Sequence, residues 1–200
     1  MTQRERVMAL LAEHGRTYAA EAGITLRDKP SPLFQLLALS LLASTRISAS
    51  VAVAAARELW AARWRTPQRM RAGTWQERVD ALGRGGYRRY DESTATRLDE
   101  LAARLVDVHH GDLRRLRPAD HEDVGRLRDG LTAFTGIGPV GADIFCREVQ
   151  DVWPEVAPWF DDRALAGAEA AGLPTDPHRL ADLAPSGRVA DLAAALVRSH

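Results

Sequence analysis

The chain has 200 residues, a formal net charge of zero, 46% hydrophobic residues and a single cysteine, Cys146. It contains no apolar run of about eighteen residues that could span a membrane, and its charged N-terminus lacks the apolar segment of a signal peptide, so we expect a soluble cytoplasmic protein. One cysteine excludes an internal disulfide and a cysteine cluster for zinc or iron–sulfur, and we expect Cys146 to be a buried, inert thiol.

The charge is distributed unevenly along the chain. Residues 57–117 hold 14 arginines and 9 acidic residues, about +5, whereas residues 118–200 hold 7 arginines and 14 acidic residues, about −7. A basic half is typical of a surface that faces phosphates, but on charge alone an ordinary arginine-rich surface explains the pattern better. Lysine is nearly absent, since Lys29 is the only one.

The N-terminal sequence predicts a capped helix and then a buried one. Thr2 and Glu5 have the spacing of a capping box, which opens a first helix. Ser31 and Pro32 suit the N-cap and first position of a helix, and residues 33–43 are apolar nearly all round. Because a helix that is apolar on every face must be surrounded by others, we expect this segment to be the central helix.

The rest of the chain has helical patterning as well. Alternation of period two is scarce and no Asn-Gly hairpin dipeptide occurs, whereas apolar residues recur at helical spacing. A glycine-rich break falls at Gly83–Tyr87. The sequence therefore predicts an all-α fold. Its further helices are expected from Ser48 or Ser50 to Leu59, after the caps Thr66 and Thr74, over Asp91–His109, from Asp120 to Phe134, and over Pro139–Val149, Arg163–Ala171 and Val189–Val197.

A glycine motif follows the predicted helix that ends at Phe134. Gly136, Gly138 and Gly141 match the dinucleotide-binding pattern G-x-G-x-x-G, but that pattern requires a preceding strand. Since the preceding segment has helical spacing and the next helix begins at Pro139, the motif predicts a hairpin between two helices instead.

Such a hairpin is suited to holding an anion. Gly136 and Gly138 permit a positive φ and a close backbone approach, and Gly141 adds a position with no side chain in the way. The N–H groups of Val140 and Gly141 lack a partner within the helix and lie at the positive end of its dipole. A nucleic-acid phosphate would be held there without any reading of base sequence. On spacing alone, a tight turn that only packs two helices together is an equally good interpretation.

Several short segments occur in a characteristic order along the chain. They are the turn Leu41–Arg46, the break at Gly86-Tyr87, the hairpin itself, Trp153-Pro154, Phe160–Arg163 and Gly172–Pro174. This order resembles the helix-hairpin-helix (HhH-GPD) DNA glycosylase superfamily, and its endonuclease III branch in particular, over roughly residues 30–200. The resemblance implies a two-lobed helical bundle that binds double-stranded DNA, acts in base excision repair as a monomer and is cytoplasmic, on the nucleoid.

The resemblance also implies a division into lobes. Residues 1–28 and 139–200 would form a discontinuous helical lobe that carries the acidic site. Residues 29–138 would form a helical-barrel lobe that ends in the hairpin.

An aspartate is the catalytic residue of this family, and the matching position is Asp161, counted back from Gly172 and Leu173. A fixed carboxylate stabilises the positive charge that builds on the sugar and orients or deprotonates an attacking water. The stretch after the hairpin is a few residues longer than in endonuclease III, so Asp162 remains a second candidate. Without the resemblance, either residue is better explained as the N-cap of the next helix.

The bifunctional members of the family use a hairpin lysine to form a Schiff base and cut the strand, and that lysine matches Val140. Valine is no nucleophile, and Lys29 lies far away in the sequence. The resemblance thus implies a monofunctional glycosylase in which water attacks, with Val140 as an apolar wall of the base pocket.

Two loops are further candidates for DNA contact. Thr45 and Arg46 occupy the turn where the family places a residue that fills the hole left by a flipped base, although Arg46 is equally well explained as an exposed loop arginine. Tyr87 and Arg88 at the glycine break are candidates to stack on a base and contact phosphate. A solvated turn around a half-buried tyrosine is the alternative.

The chain departs from the family pattern in several places. It has no cysteines for the iron–sulfur loop of endonuclease III, Thr135 replaces a proline before the hairpin, and Arg163 lies near the position of a histidine. We expect no cofactor and no metal site. The first hypothesis is a DNA repair glycosylase that hydrolyses the bond to a damaged or mispaired base flipped from duplex DNA. The alternatives are a non-catalytic DNA-binding hairpin protein and a helical protein that uses the turn only for packing.

Overall fold

The computed structural model describes residues 1–199, and over this range the chain is helical with no β-strand, which confirms the all-α prediction. None of the helices in this range is long and apolar enough to cross a membrane. Short 3-10 turns occur at Leu113–Leu116, His121–Asp123 and Pro154–Val156. The α-helices are, in chain order, α1 (Gln3–His14), α2 (Tyr18–Glu21), α3 (Pro30–Ala43), α4 (Ala49–Ala61), α5 (Pro67–Ala72), α6 (Trp75–Arg84), α7 (Asp91–His109), α8 (Val124–Thr132), α9 (Pro139–Val149), α10 (Asp162–Ala170), α11 (Pro177–Ala181) and α12 (Val189–Arg198).

Polar side chains begin several helices where the sequence indicates a cap. Thr2 with Glu5 and Thr74 with Glu77 form complete capping boxes at α1 and α6. Of the two serines that the sequence offers for the start of α4, Ser48 is the N-cap. These local signals therefore fix the helix starts before any tertiary packing is considered.

The central helix is α3, in which every residue from Leu33 to Leu42 is buried. Both α4 and α9 pack along it. Its 14 residues span about 21 Å at the usual helical rise. Ala43 ends the helix beside the hairpin, whereas Lys29 precedes its other end, so α3 separates two distant ends of the molecule.

The apolar side chains form two cores, which divide the chain differently from the predicted lobes. The larger core gathers α2 to α9 and extends from Ala19 to Val156, and the smaller one joins α1 to α10, α11 and α12. Helix α9, predicted to lie in the lobe of residues 139–200, belongs to the larger core because Phe145, Cys146 and Val149 all face it. Ala19, Ala22 and Ile24, predicted to lie in the lobe that contains residues 1–28, also belong to the larger core. Residue 200 lies outside the described residues.

Candidate functional site

The hairpin joins α8 to α9 through residues 133–138. Gly136 has a φ of +87°, and a β-carbon there would lie 2.9 Å from Cδ of Arg97 and 3.1 Å from Cδ1 of Leu41. The backbone conformation and the close contacts both require glycine at this position. Ile137, next to it, is buried and anchors the turn in the larger core.

Gly138 differs from Gly136 in both respects. Its backbone is extended, with a φ of −91°, so the positive φ that the sequence suggests for it is not present. A β-carbon at Gly138 would meet no atom within 4 Å. Nothing in the folded chain therefore requires glycine here. As the N-cap of α9, Gly138 supplies no side-chain oxygen, and this end of the helix has no side-chain cap.

The N-terminus of α9 is consequently open. Its first backbone hydrogen bond runs from the N–H of Ala142 to the carbonyl of Gly138, at 3.0 Å. Within the described part of the chain, no group accepts a hydrogen bond from the N–H of Val140 or Gly141. Val140 is 57% exposed. Gly141 is instead buried, and a β-carbon there would lie 3.5 Å from Cβ of Ser44, so its missing side chain serves the close packing of α9 on the end of α3 and not an open surface.

A groove of about 460 Å³ follows the hairpin on its outer side. It is lined by residues 132–138 and by Arg97, whose stem packs on Gly136. The groove thus combines exposed backbone with one guanidinium group, which suits a polyanionic chain that approaches closely.

A smaller pocket of about 220 Å³ lies at the same end of α9. Four of its residues come from one face of α9, at the helical spacing of Val140, Asp143, Ile144 and Arg147. The others are Tyr18, Ala43, Asp161, Asp162 and Arg163.

Asp161 is both the N-cap of α10 and the partner of a buried arginine. Its Oδ1 accepts a hydrogen bond from the N–H of Ala164 at 2.9 Å, and its Oδ2 accepts one from Nη1 of Arg147 at 2.5 Å. The side chains of Asp161 and Arg147 are only 9% and 3% exposed. Two directed hydrogen bonds hold the carboxylate rigidly at the wall of the pocket, whereas the neighbouring Asp162 is exposed.

Asp143 is a second carboxylate in the pocket wall. Burial raises the pKa of the Asp143 carboxyl above its usual value, and the negative charge of Asp161 acts in the same direction. The guanidinium of Arg128, 2.9 Å from Oδ1 of Asp143, opposes the rise. Of the three carboxylates that line the pocket, Asp161 and Asp143 therefore lie in different surroundings, each beside an arginine.

Further residues hold this arrangement in place. Buried Gln150 donates to the carbonyls of Arg147 and Trp159 and accepts from the N–H of Trp159, so it fixes the segment that leads into Asp161. Tyr18 closes the pocket from the N-terminal part of the chain, with its ring centroid 5.6 Å from the guanidinium carbon of Arg147.

The sequence does not single out Tyr18, Asp143, Arg147 or Gln150 as site residues. The helical spacing from Val140 would have found Asp143 and Arg147 once Val140 was assigned to a pocket wall. No sequence signal places Tyr18 there, because it lies more than 120 residues earlier in the chain.

The predicted loop contacts divide into exposed and buried residues. Arg46 and Arg88 are exposed, and Thr45 is half-buried. Tyr87 is fully buried, so the prediction that it stacks on a base is wrong for this conformation. Its ring fills the larger core, and its hydroxyl lies 2.7 Å from Oγ1 of Thr45. Tyr87 therefore supports the loop that carries Arg46.

Two residue types that the family uses are not available at the site. Lys29 precedes the N-terminus of α3, whereas Ala43 at the C-terminus of α3 lines the pocket, about 21 Å away along the helix. Cys146, the single cysteine, is buried in the larger core, and burial raises the pKa of its thiol to about 12. An iron–sulfur cluster held by four thiolates does not fit these residues.

Comparison with known proteins supports the fold. No protein-family model matches the sequence, and no curated protein does so either. Two solved structures are similar over 98% of this chain and 85% of theirs, each with 18% sequence identity: a trapped covalent endonuclease III–DNA intermediate with an estranged adenine, at a TM-score of 0.51, and a non-covalent endonuclease III–DNA complex, at 0.54. The chain therefore has the endonuclease III-like helix-hairpin-helix fold.

Proposed function

We propose that this chain is a DNA repair glycosylase that hydrolyses the N-glycosidic bond of a damaged or mispaired base flipped from duplex DNA. The observation that carries the proposal is the position of Asp161. It lines a pocket next to the uncapped N-terminus of the hairpin helix, in a fold shared with endonuclease III–DNA complexes.

In this proposal the hairpin holds the DNA backbone. A phosphate accepts hydrogen bonds from the free N–H groups of Val140 and Gly141 at the positive end of α9. Gly138 leaves room for its approach, since no side chain projects from it. Exposed Arg46 and Arg88 then lie on loops joined through Thr45 and Tyr87, where they contact the strands around the flipped base.

Asp161 acts in the chemical step as a fixed anion. Breaking the bond between the sugar and the base leaves positive charge on the sugar, and a carboxylate held in place lowers the energy of that charge without reorganising. Both Asp161 oxygens are already bonded, to Ala164 and Arg147, which favours charge stabilisation and orientation of a water over movement of the carboxylate. Water is the nucleophile, since Val140 stands in the pocket and Lys29 lies at the far end of α3.

A second candidate function is DNA binding without catalysis. The Arg147–Asp161 pair favours it, because the guanidinium offsets part of the negative charge that the chemistry needs. The hairpin would serve the same purpose in either case.

Base release from a panel of duplexes, each with one damaged or mispaired base, tests the proposal. We expect the wild type to release at least one kind of base, to leave the abasic strand uncut, and to form no adduct that borohydride traps. Trapping together with strand cleavage would contradict the hydrolytic mechanism. Duplex binding with no release from any substrate would establish the non-catalytic alternative.

A further inference from the structure

A second groove, of about 470 Å³, lies where α4 ends and α5 begins. It is lined by Trp60, Ala61, Arg63, Arg65, Thr66 and Arg69. The 13 residues of α4 span about 20 Å, so this groove is far from the loop of Thr45 and Arg46 that precedes the helix. The hydroxyl of Ser31, which donates to the carbonyl of Arg65, ties it to the start of α3. The groove is therefore separate from the pocket of Asp161.

The groove concentrates positive charge that the protein itself does not neutralise. Arg63, Arg65 and Arg69 are exposed, and no carboxylate in the described range forms an ion pair with any of them. Arginines elsewhere in the molecule, such as Arg117 and Arg198, do have carboxylate partners. No acidic residue lines this groove.

The nearest acidic residue in an adjoining depression is already engaged. Glu77 lines that depression together with Arg63 and Arg69. Its carboxylate accepts hydrogen bonds from the backbone N–H and the hydroxyl of Thr74 in the capping box of α6. Arg63 and Arg69 therefore keep their guanidinium donors for a ligand, whereas Arg65 keeps its Nη groups, because its Nε donates to the carbonyl of Trp60.

Arg63 occupies a backbone position that normally favours glycine. Its φ is +65°, and it follows the C-terminus of α4 in a Schellman motif. The N–H of Trp64 bonds the carbonyl of Leu59, and the N–H of Arg63 bonds that of Trp60. An arginine here is strained where glycine would not be. Its guanidinium is thus present at a conformational cost.

Trp60 provides a further donor without an acceptor. It is 4% exposed and lines the groove, and its indole Nε1–H has no hydrogen-bond partner within the described part of the chain. An unsatisfied buried donor is unfavourable unless a ligand completes it. The groove accordingly offers guanidinium groups as donors, and one of its lining residues carries a buried indole N–H that has no acceptor.

We propose that this groove binds a phosphate group of a nucleic-acid backbone. Guanidinium groups match the geometry of phosphate oxygens, and a phosphodiester supplies only acceptors to this set of donors. The site contacts a segment of nucleic acid about 20 Å from the loop of Thr45 and Arg46, and it does not depend on whether the pocket of Asp161 is catalytic.

The test follows the indole N–H signal of Trp60 by two-dimensional NMR of the ¹⁵N-labelled full chain, with the signal assigned through a Trp60→Phe variant. Inorganic phosphate and an undamaged duplex are added separately, because the two probes distinguish a free anion from a polynucleotide. The variants are Arg63→Gly, which suits the backbone conformation, and Arg63→Gly with Arg69→Ala. The matched control is Arg4→Ala with Arg179→Ala, two exposed arginines without ion pairs in the described residues.

We expect the duplex to shift the Trp60 signal in the wild type and the control, and not in the double variant. A plot of log affinity for duplex against log salt concentration has a negative slope. The magnitude of that slope should be smaller by about one in the double variant, as expected for the loss of one phosphate contact. Arg63→Gly should melt at or above the wild-type temperature. The proposal is wrong if duplex leaves the Trp60 signal of the wild type unmoved, or if duplex still moves it in the double variant. It is also wrong if inorganic phosphate moves the signal and duplex does not.

Discussion

The N-termini of α2, α10 and α12 are closed by carboxylates, whereas the N-terminus of α9 is open. Asp161 caps its own helix α10. Glu148 accepts hydrogen bonds from the N–H groups of Tyr18 and Ala19 at the start of α2. Asp151 accepts hydrogen bonds from the N–H groups of the first two residues of α12, Val189 and Ala190. At α9, by contrast, Gly138 provides no side-chain oxygen.

The comparison shows what the open end is suited to bind. Free N–H groups and the helix dipole attract negative charge, and in α2, α10 and α12 the chain supplies that charge itself, as Asp176 does at α11. In α9 no side chain of the described range supplies it, and the helix begins next to the groove along the hairpin. A ligand with an acceptor-rich anionic group, such as a nucleic-acid phosphate, would complete this helix as Glu148 completes α2.

The largest effect is expected on the rate of base release, from a change of Asp161, which caps α10 and also lines the pocket. Asp161→Asn should lower the rate of base release about 10³-fold, because the fixed negative charge is lost while asparagine still caps the helix. Asp162→Asn, the matched control, should stay within about threefold of the wild type. Single-turnover rates on the preferred duplex measure both. Equal losses in the two variants would show that the site is assigned to the wrong residue or to neither.

The hydrogen bonds from the N-terminus of α2 to Glu148 should contribute more to the free energy of unfolding than those from α12 to Asp151. Glu148→Ala leaves the N–H groups of Tyr18 and Ala19 buried without an acceptor, and we expect the free energy of unfolding to fall by about 3 kcal/mol. Asp151→Ala, at an exposed residue, should cost about 1 kcal/mol. Urea denaturation measures both losses, and similar losses would mean that burial does not set the strength of these closures.

The Glu148 closure should also be sensitive to pH. Burial raises the pKa of the Glu148 carboxyl above its ordinary value of 4.5, against the opposing effects of Arg147 and the two backbone N–H groups. The folded protein therefore binds this proton more tightly than the unfolded chain, so the contribution to stability is present below pH 4.5 and is lost as the pH rises through the folded pKa. The unfolding free energy of the wild type relative to Glu148→Gln should accordingly decrease from pH 4 upwards. A difference that is constant with pH would contradict the direction of the shift.

A smaller effect is expected on the loop beside the open end of α9. Arg46 is exposed, and Tyr87 and Thr45 hold its loop at the end of α3. Arg46→Ala should weaken binding to the preferred damaged or mispaired duplex by about three- to tenfold more than binding to an undamaged one, as for the loss of a residue that stabilises a flipped base. Fluorescence anisotropy on the two duplexes gives the ratio. Arg179→Ala should not change it, and an unchanged ratio in Arg46→Ala would remove this residue from the interface.

The sequence was sufficient for the elements with strong local signals. Helix α9 begins and ends where predicted, at Pro139 and Val149, because proline suits its first position and its apolar face is regular. Helices α2 and α11 were not predicted, since four or five residues carry no periodicity. The segment predicted as one helix from Asp120 to Phe134 is a 3-10 turn followed by α8.

The candidate site was less predictable because tertiary contacts assemble it. Tyr87 follows a glycine break that favours a surface turn, yet its ring is in the core. The expectation that one of the two acidic residues caps α10 is confirmed for Asp161, which is the N-cap and lines the pocket as well. Its partner Arg147 lies fourteen residues earlier on another helix, so no local pattern pairs them.

A single substitution at the open end of α9 tests whether its free N–H groups hold the DNA backbone. Gly138→Ser introduces an N-cap oxygen at a position where a β-carbon meets no atom, and Gly138→Ala adds the carbon alone. We predict that Gly138→Ser raises the free energy of unfolding by about 0.3 kcal/mol and weakens binding to undamaged duplex about tenfold, because the serine takes the donors that the phosphate uses. The Gly138→Ala variant should be no more stable than the wild type, because alanine supplies no cap oxygen. If a Gly138→Ser variant is more stable than the wild type and still binds duplex with wild-type affinity, the N-terminus of α9 does not hold a phosphate.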